Sequence, residues 1–272
     1  MGEFSYFAHM KTGSVRVKAG VKAETVDLPV PATAEIVIEG HVSHTDIDLE
    51  GPMGEYPGYL DHSQSKPKPV LHVSAVTYRN DPILPVVAAG PPVEEDHTGW
   101  GLPHAAMCLS TLKAAGLPVA GAWMVLESAC HWMLIALAAD WYERTGLPSR
   151  DVAKKVGETM FPTKTGFGIP KVILVEDDFD FTDVGQVVWA FASRAHPHHG
   201  EVYFEGLPQN NLPVFLDPNE KFTYHATKVV HNCLLADRFP KDQRPVAADL
   251  ANGWPPELQQ QVLQNWNAYG YR

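Results

Sequence analysis

Hydrophobic and polar positions along the first part of this chain follow the two-residue period of β-strands. Residues 14–40 alternate β-branched with charged side chains, which predicts two strands separated by a break at residues 28–31. Residues 44–69 are rich in proline, glycine and charge, so we expect a long loop there, and residues 70–78 return as a strand. Loops of this length in compact domains are usually functional.

Beyond residue 90 the pattern shifts to helices alternating with strands. Thr98 is a helix-capping residue, and Pro103 suits a first helical turn, so we expect a helix that starts near Pro103 and ends near residue 115. An apolar strand over residues 119–126 follows it.

The same rhythm continues through the second half of the chain. Ser149 is a suitable cap for a helix to residue 160, residues 171–176 read as a buried strand, and Asp183 begins a helix that reaches residue 194. This βαβα order predicts an α/β layer. We therefore place a domain boundary near residue 90, with an all-β part over residues 1–90 and an α/β domain over residues 91–272.

A terminal helix is expected over residues 256–267. Leu258, Val262 and Trp266 recur at four-residue spacing, so they form one apolar stripe on that helix. Such a stripe packs either into the core of its own chain or against another subunit, and we favour the subunit contact.

Composition and charge exclude several classes of function. The chain has 272 residues, of which 45% are hydrophobic, and its 32 acidic against 21 basic residues give a net charge of −11. This charge argues against nucleic acid as a partner. Cys108, Cys130 and Cys233 are far apart, which fits reduced structural thiols and a cytoplasmic setting. No apolar run is long enough for a signal peptide or a membrane span, so we expect no membrane association.

The candidate chemistry is concentrated in the segment EGPMGEYPGY at residues 50–59. Glu50 and Glu55 are five residues apart, a spacing that does not place them on one helix face. Pro52 fixes its φ angle, and the flanking glycines adopt conformations that other residues avoid, which predicts a rigid loop with two carboxylates. Paired carboxylates serve proton-transfer chemistry; the alternative is an acidic surface turn.

Several segments carry a family resemblance. PATAEIVIEG at residues 31–40, followed after nine residues by EGPMGEYPGY, resembles the core signature of the UbiD family of decarboxylases. Further segments resemble its ferulic/cinnamic acid decarboxylase branch, in chain order: VTYRN at 76–80, ILP at 83–85, EDHT at 95–98, FPTKTG at 161–166, VILVEDD at 172–178, VWAF at 188–191, EL at 257–258 and NW at 265–266. The matches cover nearly the whole chain.

The resemblance implies an α+β fold. Residues 1–90 would be the C-terminal part of a split β-barrel domain that binds prenylated FMN and carries the acidic loop. Residues 91–272 would be an α/β oligomerisation domain with the C-terminal helix. Family members are much longer than this chain, so the resemblance implies a C-terminal half. An arginine, an asparagine and a histidine of the family's N-terminal half would then come from a partner chain, or the chain is incomplete.

The resemblance also assigns roles to residues of the loop and of a later turn. Glu55 matches the acid–base glutamate that protonates carbon after carbon dioxide leaves, and Glu50 matches the glutamate that pairs with the family's arginine. Met53 and Gly54 would contact prenylated FMN. Lys164 matches a lysine that contacts the flavin phosphate; the alternative is a solvated lysine after a helix end.

Metal binding is a further implication. Glu3 matches the family's third ligand to manganese, with potassium as an additional cation, and the other ligands would come from the absent half; the alternative is a solvated N-terminal glutamate. The spacings of the histidines fit no zinc pattern, so we expect surface or capping roles for them. This expectation covers eleven of the thirteen histidines: His41, His44, His62, His97, His104, His131, His196, His198, His199, His225 and His231.

The predicted substrate is a small aromatic or α,β-unsaturated carboxylic acid. Trp100 stands where relatives present an aliphatic residue to the substrate, and Met53, Leu212 and Val214 are further lining candidates. Core packing is the alternative for all four. Gly168 replaces a threonine common in relatives, which would change the pocket floor. Trp100 leaves a flat phenolic ring open as the substrate.

Two hypotheses of function follow from these assignments. The first is a prenylated-FMN-dependent decarboxylase that works as a homo-oligomer or with a chain supplying the N-terminal half, and that depends on a flavin prenyltransferase for its cofactor. The second is a truncated, non-catalytic partner subunit of a full-length decarboxylase. A third possibility is that the acidic loop holds a small ligand or cation without chemistry.

Overall fold

The computed structural model describes residues 20–62 and 65–271. The chain divides into two compact units. The first unit comprises Met1–Gly54 and Leu60–Ala88, and the second comprises Glu55–Tyr59 and Ala89–Arg272. Within the described ranges, no helix is long and apolar enough to cross a membrane.

Antiparallel pairs of strands make up the described part of the first unit. Strand β1 (Gly20–Lys22) pairs with β2 (Pro29–Pro31), and β3 (Ile36–Glu50) pairs with β4 (Lys66–Tyr78) as a long ribbon. A side chain at Gly40 would overlap the backbone of β4, and the strand register shifts at this position. The absence of a side chain therefore lets the two strands approach closely.

The predicted loop over residues 44–69 was wrong. Strand β3 continues to Glu50 and β4 begins at Lys66, so both ends of the supposed loop are strand. Pro67 and Pro69, two of the four prolines of this stretch, lie in β4, which pairs with β3 alone among the described strands. Proline is tolerated in such edge strands because its missing N–H can face away from the partner.

The ribbon carries most of its side chains in an exposed state. Among the described residues of the first unit, Ala23 and Glu39 are buried. The Glu39 carboxylate accepts hydrogen bonds from the backbone N–H groups of Glu24 at 2.9 Å and Thr25 at 2.7 Å. These bonds lower the pKa of Glu39 and tie the turn between β1 and β2 to strand β3.

The second unit is built on a five-stranded mixed sheet. Its strand order is β5-β6-β7-β9-β8, with β6, β7 and β9 parallel and with antiparallel strands at both edges. The strands are β5 (Val119–Val125), β6 (Trp132–Leu137), β7 (Lys171–Glu176), β8 (Glu201–Pro208) and β9 (His225–Asn232). The predicted strand over residues 171–176 is confirmed.

Helices cover both faces of this sheet. In the described part of the second unit they are α1 (Glu95–Ala114), α2 (Trp141–Thr145), α3 (Ser149–Met160), α4 (Val184–Arg194), α5 (Pro218–Thr223), α6 (Leu250–Gly253) and α7 (Pro256–Gln264), with short 3₁₀ turns at Leu126–Ser128 and Gly166–Gly168. Alternate residues of β6 point to opposite faces. Ile135 therefore packs in the core under α1 and α3, whereas Leu134 packs in the core under α4. The predicted α+β class is confirmed.

The start of α1 differs from the prediction. Glu94 caps the helix, and its side chain and that of His97 form a reciprocal capping box, so Thr98 already lies in the first turn. Pro103 lies inside the helix. The later helices agree better: the Asp183 side chain accepts from two backbone N–H groups at the start of α4, as predicted, whereas α3 is preceded by Pro148.

The terminal helix is shorter than expected. It ends at Gln264 rather than near residue 267. Leu258 is 37% exposed and Trp266 is 40% exposed, so neither is a core residue of this chain. The indole of Trp266 stacks on Tyr271, with ring centroids 4.7 Å apart. The subunit contact through this stripe stays a prediction, as does the functional division at residue 90.

Candidate active site

The acidic loop is shared between the two units, and its first half belongs to the ribbon. Glu50 ends β3 opposite Lys66, and its carboxylate lies 4.0 Å from Lys68 Nζ. Both partners of this ion pair are about half exposed, so it contributes little to stability. Gly51 has a φ angle of +83°, which favours glycine, and Met53 is 49% exposed. Gly54 forms an isolated antiparallel bridge with Leu60.

The second half of the loop is anchored by the backbone of Tyr56. The carbonyl of Glu55 accepts from Gly58 N at 2.8 Å, which closes a turn. His97 Nδ1 accepts from Glu94 N at 3.0 Å, so in the neutral ring the proton is on Nε2. His97 Nε2 then donates to the Tyr56 carbonyl at 2.7 Å. Because His97 is fully buried in the first turn of α1, it holds the backbone next to Glu55 in place.

The side chain of Tyr56 is held as firmly as its backbone. Its ring lies between Trp100, at a centroid distance of 5.8 Å, and His131, at 5.6 Å and nearly parallel. Its hydroxyl donates to Asn210 Oδ1 at 3.3 Å and accepts from Asn210 Nδ2 at 3.2 Å. Burial raises the pKa of Tyr56 to about 12, so the phenol is neutral at ordinary pH. Sequence reasoning missed Tyr56 and Asn210.

Trp100 and Gly168 are complementary in size. A Cβ atom at Gly168 would lie 2.8 Å from Cζ2 of the Trp100 indole, too close for an ordinary contact. The indole also packs against His104 at a centroid distance of 4.4 Å. The large side chain at one position therefore fills the space left by the missing side chain at the other, which gives a physical reason for glycine at residue 168.

The turn that carries Lys164 is rigid. Thr163 Oγ1 donates to the Met160 carbonyl at 2.7 Å and accepts from Gly166 N at 3.1 Å. Lys228 Nζ donates to the carbonyls of Gly166 at 2.7 Å and Phe167 at 2.8 Å. A side chain at Gly166 would overlap the backbone of α3, so the glycine allows the turn to pack closely.

The lysine that supports this turn, Lys228, is unusual because it is buried. Its side chain is fully buried, and burial lowers its pKa to about 7. A neutral amine has two N–H groups, which match the two carbonyls that it contacts. In the part of the chain that the structure describes, Lys228 forms no ion pair. A single lysine in the alternating strand β9 looks solvated in sequence, so the pattern gave no signal for this role.

Three of the predicted lining residues, Trp100, Leu212 and Val214, are placed in two groups. Leu212 N donates to Asn210 Oδ1 at 3.2 Å, which joins Leu212 to the Tyr56 and Trp100 cluster. Val214 instead lines a cavity of about 510 Å³ in the second unit. Their roles toward a substrate stay predictions.

The metal prediction finds no counterpart in the described ranges. Residues 20–62 and 65–271 contain no group of three or more histidine, cysteine, aspartate or glutamate side chains that could hold a metal ion. Glu3, the predicted manganese ligand, lies outside the described residues. Manganese and potassium binding therefore stay predictions.

The comparisons with known families identify the class of this protein. Residues 1–92 match the Rift-related domain of 3-octaprenyl-4-hydroxybenzoate carboxy-lyase, UbiD. Residues 97–233 match the C-terminal domain of the same carboxy-lyase. The chain belongs to the UbiD family.

Individual relatives narrow the comparison to decarboxylases. Pyrrole-2-carboxylic acid decarboxylase of Pseudomonas aeruginosa is 38% identical over 251 residues, which are 92% of this chain and 50% of the relative. Ferulic acid decarboxylase 1 of Saccharomyces cerevisiae is 34% identical over 253 residues, which are 93% of this chain and 50% of the relative. The chain spans about half the length of the curated relatives it matches.

Solved structures show the same fold. The UbiD-class enzyme HmfF from Pelotomaculum thermopropionicum, determined in complex with FMN, matches with a TM-score of 0.66 and 25% identity, over 91% of this chain and 50% of that chain. The closed form of the vanillic acid decarboxylase of Sedimentibacter hydroxybenzoicus matches with a TM-score of 0.64 and 24% identity, over 91% of this chain and 49% of that one. The second match supports the fold alone.

Proposed function

We propose that this chain provides the carboxylate loop of a non-oxidative decarboxylase that acts on an aromatic or α,β-unsaturated carboxylic acid with prenylated FMN. The observation that carries the proposal is the anchoring of the residue after Glu55. Three contacts hold Tyr56, through its carbonyl, its ring and its hydroxyl. An acidic surface turn would need no such support.

The proposed role of Glu55 is proton donation. Loss of carbon dioxide breaks a carbon–carbon bond and leaves an electron pair on the substrate carbon, and a new C–H bond forms when a proton is delivered there. A carboxylic acid can deliver that proton if its backbone is held in one position and its acid form is available. The turn through Gly58 and the His97 bond to Tyr56 supply the fixed position.

The proposed cofactor fits the turn that carries Lys164. An ammonium group suits a phosphate, and Lys164 is exposed on a turn that is held by the side chains of Thr163 and Lys228. When bound, prenylated FMN would accept the electron pair that carbon dioxide leaves behind. In this proposal, Lys228 is a positioning residue, because it fixes the carbonyls of Gly166 and Phe167.

The proposed substrate surface consists of Tyr56, Trp100 and Leu212. The two aromatic rings and the aliphatic side chain suit a flat, largely apolar ring or an unsaturated chain. Asn210 contacts both Tyr56 and Leu212, so it sets their mutual position. The names of the relatives, which include decarboxylases of pyrrole-2-carboxylic acid and ferulic acid, support this substrate class.

The test is Glu55→Gln in the catalytically competent assembly, loaded with prenylated FMN by co-expression with a flavin prenyltransferase. Carbon dioxide release is measured from cinnamic-type and hydroxybenzoate-type acids. We expect a loss of about 10²- to 10⁴-fold, the usual contribution of general acid catalysis. The matched control is Glu143→Gln on an exposed position of α2. Activity of Glu55→Gln within about twofold of wild type would remove Glu55 from the mechanism.

A second candidate is a partner subunit without turnover of its own. The exposed apolar side chains of β3 and β4 favour it, because a partner could cover them. In that case an assembly with a full-length decarboxylase would form, and Glu55→Gln would leave its turnover unchanged.

A further inference from the structure

The cavity lined by Val214 contains a lysine that has no counterion in the part of the chain that the structure describes. Lys171 begins β7 and lines this cavity of about 510 Å³. Within the described ranges it makes no ion pair and no side-chain hydrogen bond; its ammonium lies 4.7 Å from the centre of the Phe215 ring. Glu127 also lines the cavity but is exposed and does not pair with Lys171. Partial burial without a counterion lowers the pKa of Lys171.

A buried hydrogen-bond acceptor lines the same cavity. His131 Nδ1 lies 2.9 Å from the Ser128 carbonyl, and a carbonyl can only accept. In the neutral ring the proton is therefore on Nδ1, and Nε2 is an acceptor. Burial lowers the pKa of His131, which favours this neutral form. His131 Nε2 is buried and has no hydrogen-bond partner among residues 20–62 and 65–271, a costly state for a polar atom.

The remaining walls are apolar and partly aromatic. Trp132, Tyr59 and Phe215 provide rings, and Val184 and Val188 provide aliphatic surface from α4. A cavity with apolar walls and a few polar groups is typical of small-molecule sites, and its volume lies in the usual range. Trp100 and Leu212 do not line it.

We propose that this cavity binds a small aromatic carboxylic acid that carries a hydroxyl group. The carboxylate would neutralise Lys171, the ring would pack against Phe215 and Trp132, and the hydroxyl would donate to His131 Nε2. The carboxylate and the hydroxyl of the ligand would thus each pair with one polar group of the cavity, and its ring with the apolar walls. This binding does not rest on the decarboxylase proposal, since it needs neither flavin nor turnover.

The site has a direct connection to the anchored loop. The His131 ring stacks on Tyr56, the residue that follows Glu55. A ligand hydroxyl on Nε2 would hold the imidazole in the orientation that supports this stack. A ligand in the cavity would therefore restrict the position of Tyr56, whose backbone is next to Glu55.

The test is calorimetric titration of the purified chain, free of flavin, with benzoate and with 2-, 3- and 4-hydroxybenzoate. We expect saturable binding with one site per chain, and at least one hydroxy isomer that binds tighter than benzoate. Lys171→Met should weaken binding of all four acids by about tenfold or more, since it removes a charged hydrogen-bond donor. Lys154→Met, on an exposed face of α3, is the matched control and should change nothing.

A second variant tests the hydroxyl separately. His131→Phe should retain benzoate binding and abolish the preference for the hydroxy isomer, because the acceptor is lost and the ring stack is kept. Lys171→Arg, which keeps the charge, should restore much of the affinity if Lys171→Met folds poorly. Absence of saturable binding in wild type, equal losses in Lys171→Met and Lys154→Met, or an unchanged hydroxyl preference in His131→Phe would each overturn the proposal.

Discussion

The ribbon of the first unit and the sheet of the second unit both contain aliphatic side chains, but these are exposed in the ribbon and buried in the sheet. On β7, Val172, Ile173 and Leu174 are fully buried. On β3, Val42 is 60% exposed and Leu49 is 62% exposed. Both stretches are strands rich in apolar residues. Apolar and β-branched residues therefore favour the strand, but burial depends on the layers that cover it.

The difference concerns stability as well as exposure. A two-stranded ribbon is marginally stable by itself, whereas a sheet covered by helices on both faces buries a continuous core. We therefore expect the second unit to dominate the free energy of unfolding. The exposed apolar side chains of the ribbon are available for contacts in an assembly.

The largest expected effect comes from truncating one leucine in each region. Leu174→Ala should lower the free energy of unfolding by about 2–5 kcal/mol, because it opens a cavity in a closed core. Leu49→Ala should change it by about 0.5 kcal/mol or less, as at other exposed sites. Urea unfolding of the two variants and wild type measures both values. Equal losses would show that the ribbon is packed as tightly as the sheet and would break the comparison.

An intermediate loss of stability is expected from adding a side chain at Gly168, which is in close contact with Trp100. Gly168→Thr should cost about 1–3 kcal/mol, because the new side chain would overlap the Trp100 indole. Adding Trp100→Val should recover part of that loss, so thermal unfolding of the two single variants and the double variant forms a cycle. Gly20→Thr in the exposed strand β1, where a Cβ atom meets ordinary contacts, is the control. Additive losses in the double variant would mean that the two residues do not share one space.

The smallest effect concerns a buried cation and its pH dependence. The pKa of Lys228 is lowered from 10.5 to about 7 in the folded chain, so above pH 7 the unfolded chain binds more protons. The free energy of unfolding therefore rises with pH between about 7 and 10.5 because of this group. Relative to Lys228→Met, wild type should gain about 1 kcal/mol between pH 7 and about pH 8. Lys68→Met in the ribbon is the control.

Unfolding free energies of wild type and both variants at the two pH values measure this difference. A parallel pH dependence of wild type and Lys228→Met would show that Lys228 does not lose its proton in this range. Lys228 would then contribute no more to the pH dependence of unfolding than the exposed control residue Lys68.

The second unit was easier to predict from sequence than the first, for physical reasons. Residues 171–176 form one apolar run because both faces of their strand are covered, and a run of that kind is readable without knowing the fold. Asp183 was readable because a side-chain cap is a local interaction. Residues 44–69 were misread because the exposed strands around them lack a buried face, and the prolines of β4 resemble a spacer.

Only part of the candidate site is readable from sequence, for a related reason. The resemblance pointed to Glu55 and Lys164, but the groups that hold them are distant in sequence. Tyr56 meets Asn210 across 154 positions, and Lys228 meets Gly166 across 62. These long-range contacts depend on the fold and have no local signature in the sequence.

Pro103 led to a wrong helix start. Proline suits a first helical turn, yet α1 starts eight residues earlier, at Glu95.

The buried thiols of this chain have a practical consequence for measuring these effects. Cys108, Cys130 and Cys233 are fully buried, and burial raises the pKa of each to about 12. Maleimide dyes react with thiolates, so we expect all three thiols to be unreactive toward them in the folded state. An added cysteine, such as His44→Cys at an exposed position of the ribbon, would therefore be a single reactive site. Fluorescent labelling at that one position needs no prior removal of native cysteines, and it would report on the ribbon separately from the sheet.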